Sequence, residues 1–349
     1  MNLAIPPLAH DLEAALRAKL NAKTKPLGAL GRLEEIALRI GLMQATLEPK
    51  LLQGTVLVFA GDHGLAAEGV SPFPTEVTAQ MIANFLSGGA AINVFAKQNQ
   101  LALKVVDAGV AVDLPTHPAL VQAKIRHGSG NARWGEAMTA AEVTTALQRG
   151  GEIVDQLAAQ GCNAVLLGEM GIGNSSAAAL LMSCLLGLPL EDCIGRGAGH
   201  DAAGLAHKAT ILQEVQDRHS AVRGPLEALA AFGGCEIAML AGAMLGAARR
   251  RMVIVNDGFI VTAALLCAAQ IEPRVLDYVI CSHGSAEQGH ARLLAALSLQ
   301  PLLNLELRLG EGTGAALAWP LLQAACGFLR EMATFESAAV SGRSAGGTA

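Results

Sequence analysis

A single glutamate between glycines is the group in this sequence best placed to do chemistry. Glu311 lies in the run Gly310-Glu311-Gly312-Thr313-Gly314, which follows leucines that alternate from Leu303 to Leu309 and precedes an Ala/Leu-rich helical pattern. The alternation predicts a strand, and the glycines predict a turn where the backbone bends or a ligand approaches. We therefore expect Glu311 to act as a general base at a strand-to-helix turn. The alternative is that it only caps the following helix.

Other apolar runs of the chain also end in polar, glycine-containing turns and are followed by helical patterns. They cover residues 55–64, 101–110, 163–174, 251–260 and 274–285, and the run before Glu311 is the sixth. Apolar strands alternating with helices predict an α/β fold with about six parallel strands covered on both faces. Because the carboxyl ends of parallel strands share one edge, that edge should gather Asp62, His63, Asp107, Glu169, Asp257, Ser282, His283 and Glu311.

Two glycine-rich turns are candidates for binding an anion. Residues 168–181, GEMGIGNSSAAALL, place three glycines and an Asn-Ser-Ser sequence before a helix, whose N–H groups and dipole favour a phosphate. The Gly-Lys-Ser/Thr of a P-loop is missing there, and close packing of the strand on the helix would explain the glycines equally well. Residues 195–201, GRGAGHD, form the second turn and precede a helix with Lys208. Lys208 either pairs with an anion or is solvated.

The histidines leave further chemistry open. Ser285, in SHGSAEQGH (282–290), could supply a hydroxyl to a phosphate, and His283 beside Ser282 or Ser285 suggests a hydrolase, but no G-x-S-x-G motif is present. His63, His283 and His290 have no H-x-x-x-H or H-E-x-x-H spacing, which favours structural histidines over a metal site. The run GEGTGA matches a variant dinucleotide fingerprint, but it comes too late in the chain for the rest of that motif.

Composition argues against several other classes of protein, namely nucleic-acid-binding, membrane and secreted proteins. The net charge of −5 with mixed signs gives no basic surface for nucleic acid or an anionic membrane. Mean hydropathy is +0.40, yet the longest uncharged run, 170–190, contains Gly, Asn, Ser and Pro and is better explained by a buried helix than by a membrane span. No signal peptide is apparent, and seven cysteines without C-x-x-C spacing predict free thiols in a reducing cytoplasm.

The chain is expected to divide into three parts. Residues 1–50 form an N-terminal helical segment that contributes to a small domain, with helices over 10–20 and 33–43 joined by a solvated basic loop. Residues 51–332 form the α/β catalytic domain, with an insertion at 65–95. Residues 333–349 have the composition of a flexible C-terminal tail.

Taken in order, these motifs resemble the nicotinate-nucleotide:dimethylbenzimidazole phosphoribosyltransferase family, which activates the lower ligand of cobamides. The resemblance runs from KTKPLGALGRLE (23–34) to RLGEGTGAALA (308–318). Between them lie AGDHG and EGVS (60–71), GEMGIGN (168–174), GRGAGHD with a lysine (195–208), GGCEIAMLAGA (233–243), NDGFI (256–260) and SHGSAEQGH (282–290). The resemblance implies a Rossmann-like, three-layer fold with a smaller helical domain.

The same resemblance implies a reaction and a set of residues for it. The phosphoribosyl group of nicotinate mononucleotide would pass to 5,6-dimethylbenzimidazole or a related base, in a homodimer that needs no metal or other cofactor. Two other classes stay open: a dinucleotide-dependent oxidoreductase and a non-catalytic nucleotide-binding regulator. The implied residues are Glu311 as the base, Gly171, Lys208 and Ser285 at the phosphate, Glu169, Gly197 and Asp257 along the ribose and nicotinate, and Phe73, Met81 and Leu309 at the acceptor base.

Overall fold

One parallel sheet of six strands lies within the residues that this computed structural model describes, which are 4–195, 199 and 201–341. The strands are β1 (Thr55–Gly61), β2 (Ala102–Gly109), β3 (Leu120–Gln122), β4 (Ala164–Met170), β5 (Val253–Asn256) and β6 (Val279–Cys281). They follow one another in the order β3-β2-β1-β4-β5-β6. This is the doubly wound order, in which the direction of winding changes between β1 and β4.

The strands are nearly continuous runs of Val, Leu, Ile and Ala, and the sheet buries them. Every residue of β1, β5 and β6 is buried, so helices cover both faces of the sheet. The prediction of an α/β fold with about six parallel strands is confirmed.

The alternating leucines before Glu311 do not form the sixth strand, and this prediction was wrong. Only Leu303 makes an isolated parallel bridge, to His283. The left-handed φ of 56° at Glu306 interrupts an extended conformation, and Leu305 is 56% exposed. The sixth strand is instead β3, three residues long, at the opposite edge of the sheet.

The helices lie between the strands and at both ends of the chain. No helix of the described residues is long and apolar enough to cross a membrane. The α-helices are α1 (Glu13–Asn21), α2 (Arg32–Met43), α3 (Glu76–Ser87), α4 (Ala91–Gln98), α5 (Ala140–Ala159), α6 (Asn174–Leu186), α7 (Ala202–Arg218), α8 (Pro225–Phe232), α9 (Cys235–Arg249), α10 (Phe259–Ile271), α11 (Gln288–Ala296) and α12 (Thr313–Glu331). Short 3-10 helices cover His10–Leu12, Gly64–Glu68, Leu190–Asp192 and Pro273–Tyr278.

The chain divides into two compact units. The first contains the sheet and extends over Gln53–Ala318 together with the residues before Pro7, and the second contains Pro7–Leu52 and the chain from Trp319 onward. We expected the α/β domain to continue to residue 332. The contacts instead place the boundary inside α12, because its residues from Trp319 belong with the N-terminal helices.

Within the second unit, the basic loop and the C-terminal segment are hydrogen bonded. The Lys23 ammonium donates to the carbonyl of Met332 at 2.6 Å, and the backbone N–H of Thr24 donates to the carbonyl of Ala333 at 3.0 Å. Lys25 forms a buried ion pair with Glu34 at 2.8 Å. The lysines of this loop are therefore buried rather than solvated, and the expected tail begins with residues that pair with the loop.

Candidate active site

A cavity of about 370 Å³ opens at the carboxyl edge of the sheet, inside the unit that contains the sheet. Its walls come from residues between 70 and 81, the turn 169–175 after β4, residues 258–261 after β5, residues 283–287 after β6 and residues 308–311. Doubly wound sheets bind their ligands at this edge, beside the point where the winding changes. The predicted site residues that the structure brings together around the cavity are Phe73, Met81, Glu169, Gly171, Lys208, Ser285, Leu309 and Glu311.

Glu311 lines the cavity from a left-handed turn. Its φ is 63°, and Gly310 and Gly312 on either side both have φ of 79°. The residue is 4% exposed, and its Oε2 has no hydrogen-bond partner among the described residues. Burial raises the pKa of this carboxyl to about 7. A carboxylate with these properties is available to accept a proton near neutral pH.

Asp257, and not Glu311, caps the helix that follows the turn. Its Oδ2 accepts the backbone N–H of Gly312 and its Oδ1 that of Ala315, both at 3.1 Å. Asp257 is fully buried and does not line the cavity. Backbone N–H groups at the start of α12 donate to both of its oxygens, and the expected position of Asp257 along ribose and nicotinate stays a prediction. The capping alternative for Glu311 loses its support.

Glu169 brings a second carboxyl to the cavity wall. It is 6% exposed, and the side-chain amide of Asn174 donates to its Oε2. Burial, followed by the nearby charge of Asp257, raises the pKa of Glu169 to about 8, so this group holds a proton at neutral pH. The sequence pointed to Asn174 only through its place in a glycine turn at the start of a helix, and its bond to Glu169 was not foreseen.

The turn between β4 and α6 forms an end of the cavity suited to an anion. A Cβ on Gly171 would lie 2.2 Å from the carbonyl oxygen of Gly61, so only glycine allows this close approach. Lys208 of α7 is 1% exposed, and its ammonium donates to the hydroxyl of Ser175 at 3.0 Å. Burial lowers the pKa of Lys208 to about 8. A helix N-terminus with a buried lysine beside it is an arrangement that binds phosphate.

Two buried histidines support the wall that carries Ser285. The backbone N–H of Ser285 donates to Nδ1 of His290 at 2.8 Å. Burial lowers the pKa of His290 to about 3 and that of His283 to about 4, so both rings are neutral at neutral pH. His283 also lines the cavity. Within the described part of the chain, no group of three or more His, Cys, Asp or Glu side chains is arranged to hold a metal ion.

The opposite wall of the cavity is apolar and more open. Phe73 is 47% exposed and Leu309 is 55% exposed, and Met81 of α3 lies half-buried in the same lining. Thr78, one turn before Met81, accepts the backbone N–H of Ile172 at 3.1 Å and so ties α3 to the glycine turn. No pattern in the sequence signals this contact.

Three polar residues predicted at the strand ends are paired elsewhere. His63 Nε2 lies 2.6 Å from Oε1 of the buried Glu236, and Asp62 accepts the backbone N–H of Ala111 at 2.8 Å. Asp107 pairs with Lys124 at 3.2 Å. None of the three lines the cavity. The turn after β1 also lacks the G-x-G-x-x-G fingerprint, which disfavours the dinucleotide alternative.

Comparisons with known proteins agree with this geometry. Residues 5–340 match a family described as phosphoribosyltransferase. The chain belongs to this phosphoribosyltransferase family. It is 57% identical over 337 residues to the nicotinate-nucleotide–dimethylbenzimidazole phosphoribosyltransferase of Cupriavidus taiwanensis, with 97% of each chain covered. It is 56% identical over 333 residues to the enzyme of the same name from Dechloromonas aromatica, with 95% of this chain and 96% of that one covered.

A solved structure supports the fold as well. The crystal structure of CobT from Thermus thermophilus superposes with a TM-score of 0.91 at 46% identity, covering 95% of this chain and 99% of that chain. A phosphoribosyltransferase has to hold a phosphate and bring a nucleophile to the sugar carbon. The glycine turn at Gly171, Lys208 and Glu311 all line the same cavity.

Two more residues complete the comparison between the predicted and the observed site. Gly197, expected along the ribose, lies outside the described residues. Arg308 lines the cavity but was not predicted, although it belongs to the motif RLGEGTG. Its place three residues before Glu311 was the signal that could have identified it.

Proposed function

We propose that the protein transfers the phosphoribosyl group of nicotinate mononucleotide to 5,6-dimethylbenzimidazole or a related base. The products would be α-ribazole 5′-phosphate and nicotinate, and the reaction would serve the assembly of the lower ligand of cobalamin. The names of the relatives support this assignment. The observation that carries it is Glu311, a buried carboxyl without a partner on Oε2 among the described residues, in the same cavity as the glycine turn at Gly171.

The donor would enter with its phosphate at the glycine turn. Gly171 allows the backbone to approach closely, Lys208 supplies a positive charge, and Ser285 supplies a hydroxyl. The ribose and nicotinate would then extend along Glu169, with Gly197 as a further proposed contact. A protonated Glu169 can donate a hydrogen bond to a sugar oxygen, which an ionised carboxylate cannot.

The acceptor would lie against the apolar wall formed by Phe73, Met81 and Leu309. One ring nitrogen attacks C1′ of the ribose from the face opposite nicotinate, and the C1′–nitrogen bond to nicotinate breaks with inversion. The other ring nitrogen loses its proton to the carboxylate of Glu311. Proton removal by a positioned base contributes about 10²- to 10⁴-fold to the rate of such steps.

The chemistry of the donor explains why no further cofactor is invoked. Nicotinate is linked to the ribose through a ring nitrogen that carries a positive charge, and it leaves as a neutral ring. The protein has only to fix the two reactants in line, exclude water and accept one proton.

One incubation tests this function against the two alternatives. Protein, nicotinate mononucleotide and dimethylbenzimidazole are mixed, and nicotinate and α-ribazole 5′-phosphate are followed by chromatography. We expect equal amounts of both products. Binding of the donor without release of nicotinate would indicate a non-catalytic regulator. Absence of both products, together with binding of NAD in a separate titration, would indicate an oxidoreductase.

We also propose that the enzyme is a homodimer in the cytoplasm. The seven cysteines, which all lie in the described part of the chain, are free thiols, and this supports a reducing compartment. The homodimer is proposed from the resemblance to the phosphoribosyltransferase family. Light scattering of the purified protein measures the oligomeric state, and a monomer at micromolar concentration would contradict the dimer.

A further inference from the structure

The turn that carries Glu311 is held in a backbone conformation that its sequence does not favour. Gly310, Glu311 and Gly312 are left-handed in succession, with φ of 79°, 63° and 79°. Glycine adopts this region freely, but for a glutamate it costs about 1–3 kcal/mol, and it persists only where the surroundings impose it. Something other than the turn itself must therefore fix the direction of the Glu311 side chain.

Asp257 is a buried side chain that hydrogen bonds to the backbone of this turn. Its two oxygens accept the N–H groups of Gly312 and Ala315, so one carboxyl ties the residue after the base to the first turn of α12. A Cβ on Gly314 would lie 2.8 Å from Oδ1 of Asp257, which shows how closely the backbone wraps this carboxyl. The side chain is fully buried and outside the cavity lining, so Asp257 acts on the cavity through its neighbours. These are the turn and His283, whose Nδ1 lies 3.5 Å from Oδ1 of Asp257.

Other contacts hold the same turn from different sides. The hydroxyl of Thr313 donates to the carbonyl of Gly310 at 2.7 Å, and the backbone N–H of Glu311 donates to the carbonyl of Glu169 at 3.2 Å. A Cβ on Gly168 of β4 would lie 2.2 Å from the backbone nitrogen of Gly312. Asp257 is the member of this set whose side chain can ionise, and Thr313 provides an independent contact that can be removed separately.

We propose that Asp257 is a positioning residue for the transfer reaction, which holds the left-handed turn so that the carboxylate of Glu311 meets the N–H of the acceptor. The expected effect on the reaction rate rests on the proposed function. It predicts that loss of Asp257 lowers the turnover number and leaves donor binding nearly unchanged, because the glycine turn and Lys208 do not depend on it. If Asp257 instead bound the ribose, its loss would weaken donor binding more than it lowered the turnover number.

Asp257→Asn is the direct test, with two companion variants. An asparagine keeps the size of the side chain, but its NH₂ group faces a backbone N–H and cannot accept it. Thr313→Val removes the hydroxyl bond from the other side of the turn. Asp107→Asn is the matched control, since Asp107 is also fully buried at a strand end, accepts the N–H of Val110 at 3.0 Å and lies outside the cavity.

The expected signature is a split between kcat and donor affinity. Asp257→Asn should lower kcat about a hundredfold and Thr313→Val about tenfold, as displacement of a catalytic group by about 1 Å does. The Kd for nicotinate mononucleotide, from calorimetry, should change less than about threefold in both, and Asp107→Asn should keep the wild-type kcat. A Kd raised about tenfold or more in Asp257→Asn, or an equal loss of kcat in Asp107→Asn, overturns the proposal.

The pH profile separates a displaced base from a changed charge. The titratable groups around Glu311 are Asp257, Glu169 and His283, with Glu236 acting on Glu169. Other charged side chains of the same cavity lining are Lys208, Glu287 and Arg308. If Asp257 acted on Glu311 only through its charge, its removal would lower the pKa of Glu311 and move the fall in rate to lower pH, with the full rate kept on the alkaline side. We expect the loss to persist on the alkaline plateau, and full recovery there contradicts the positioning role.

A crystal structure of Asp257→Asn gives a readout that needs no activity. We expect Glu311 to leave the left-handed region and its carboxylate to move away from the cavity. An unchanged turn overturns the proposal. If the wild-type protein forms no product, the proposed function fails, yet this structural comparison still decides whether Asp257 holds the turn.

Discussion

The carboxyl of Glu311 should set how the transfer rate depends on pH. Burial raises its pKa to about 7 from an ordinary value of 4.5, and only the ionised form can take the proton of the acceptor. The rate should therefore fall as the pH drops through 7. About one tenth of the carboxyls are ionised one pH unit below the pKa, so kcat at pH 6 should be about a tenth of its plateau value.

Initial rates between pH 5 and 9 with saturating substrates measure this fall in rate, which is the acidic limb of the pH profile. Dimethylbenzimidazole itself takes up a proton in acid, so the profile has to be repeated with a less basic acceptor. A limb that belongs to the enzyme keeps its midpoint near pH 7 when the acceptor changes, because that midpoint reflects the burial of Glu311. A midpoint that moves with the basicity of the acceptor would assign the limb to the substrate.

Glu311→Gln provides the decisive comparison. The amide fills the same space but accepts no proton, so we expect kcat to fall by about 10²- to 10⁴-fold and the acidic limb to disappear. Binding of nicotinate mononucleotide should persist, because the phosphate end of the cavity is untouched. A variant that retains more than about a tenth of the wild-type kcat, or that keeps the acidic limb, would refute Glu311 as the base.

Three further predictions concern the other residues of the cavity. Lys208→Met should raise the KM for nicotinate mononucleotide about ten- to a hundredfold with little change in kcat, since it removes one charge-assisted bond to the phosphate; an unchanged KM would contradict the phosphate role. Gly171→Ala should lower the free energy of unfolding by about 1–3 kcal/mol, because its Cβ would meet the Gly61 carbonyl at 2.2 Å. Gly224→Ala, with open space around it, is the control, and urea unfolding compares the two. Glu169→Gln should raise the thermal midpoint at pH 8 but not at pH 4. Burial raises the pKa of Glu169 in the folded protein to about 8 from an ordinary 4.5. The wild-type protein therefore loses about a few kcal/mol of its free energy of unfolding as the pH rises between these two values, and the glutamine variant does not. An equal effect at both pH values would contradict this reasoning.

The sheet was predictable because most of its strands are apolar runs followed by helical patterns, and such runs are typical of buried parallel strands. The two errors lie at its edges, where this pattern is weaker. Leu303 to Leu309 alternate as a strand does, but the left-handed φ of Glu306 breaks the extension and Leu305 stays exposed. The strand Leu120–Gln122 has three residues, too few for a periodic pattern to register.

The site was predictable to the extent that a strand end fixes where a residue lies. This placed Glu169, near the end of β4, correctly at the cavity; Glu311 also lies there, although the strand expected before it does not form. It could not show which way a side chain turns, and so His63 was expected at the cavity although it pairs with Glu236, a residue 173 positions later. Asp257 illustrates the same limit: its partners are backbone N–H groups 55 and 58 positions away.

The proposed reaction gives a reason for three buried carboxyls to lie around one turn, because a positive charge would move past them. Glu169, Asp257 and Glu311 all have a raised pKa because they are buried, and in Glu169 the charge of the others raises it further, so the empty site resists holding all three as anions. The donor brings a positive charge on its nicotinate nitrogen, which passes to the sugar as the bond breaks and then to the acceptor ring. In the proposed mechanism, Glu311 would take the proton of that ring, which removes the positive charge, and both products would leave with neutral rings. In the proposed reaction, the ionised forms of Glu169 and Glu311 would be stabilised most strongly while the positive charge lies on the sugar.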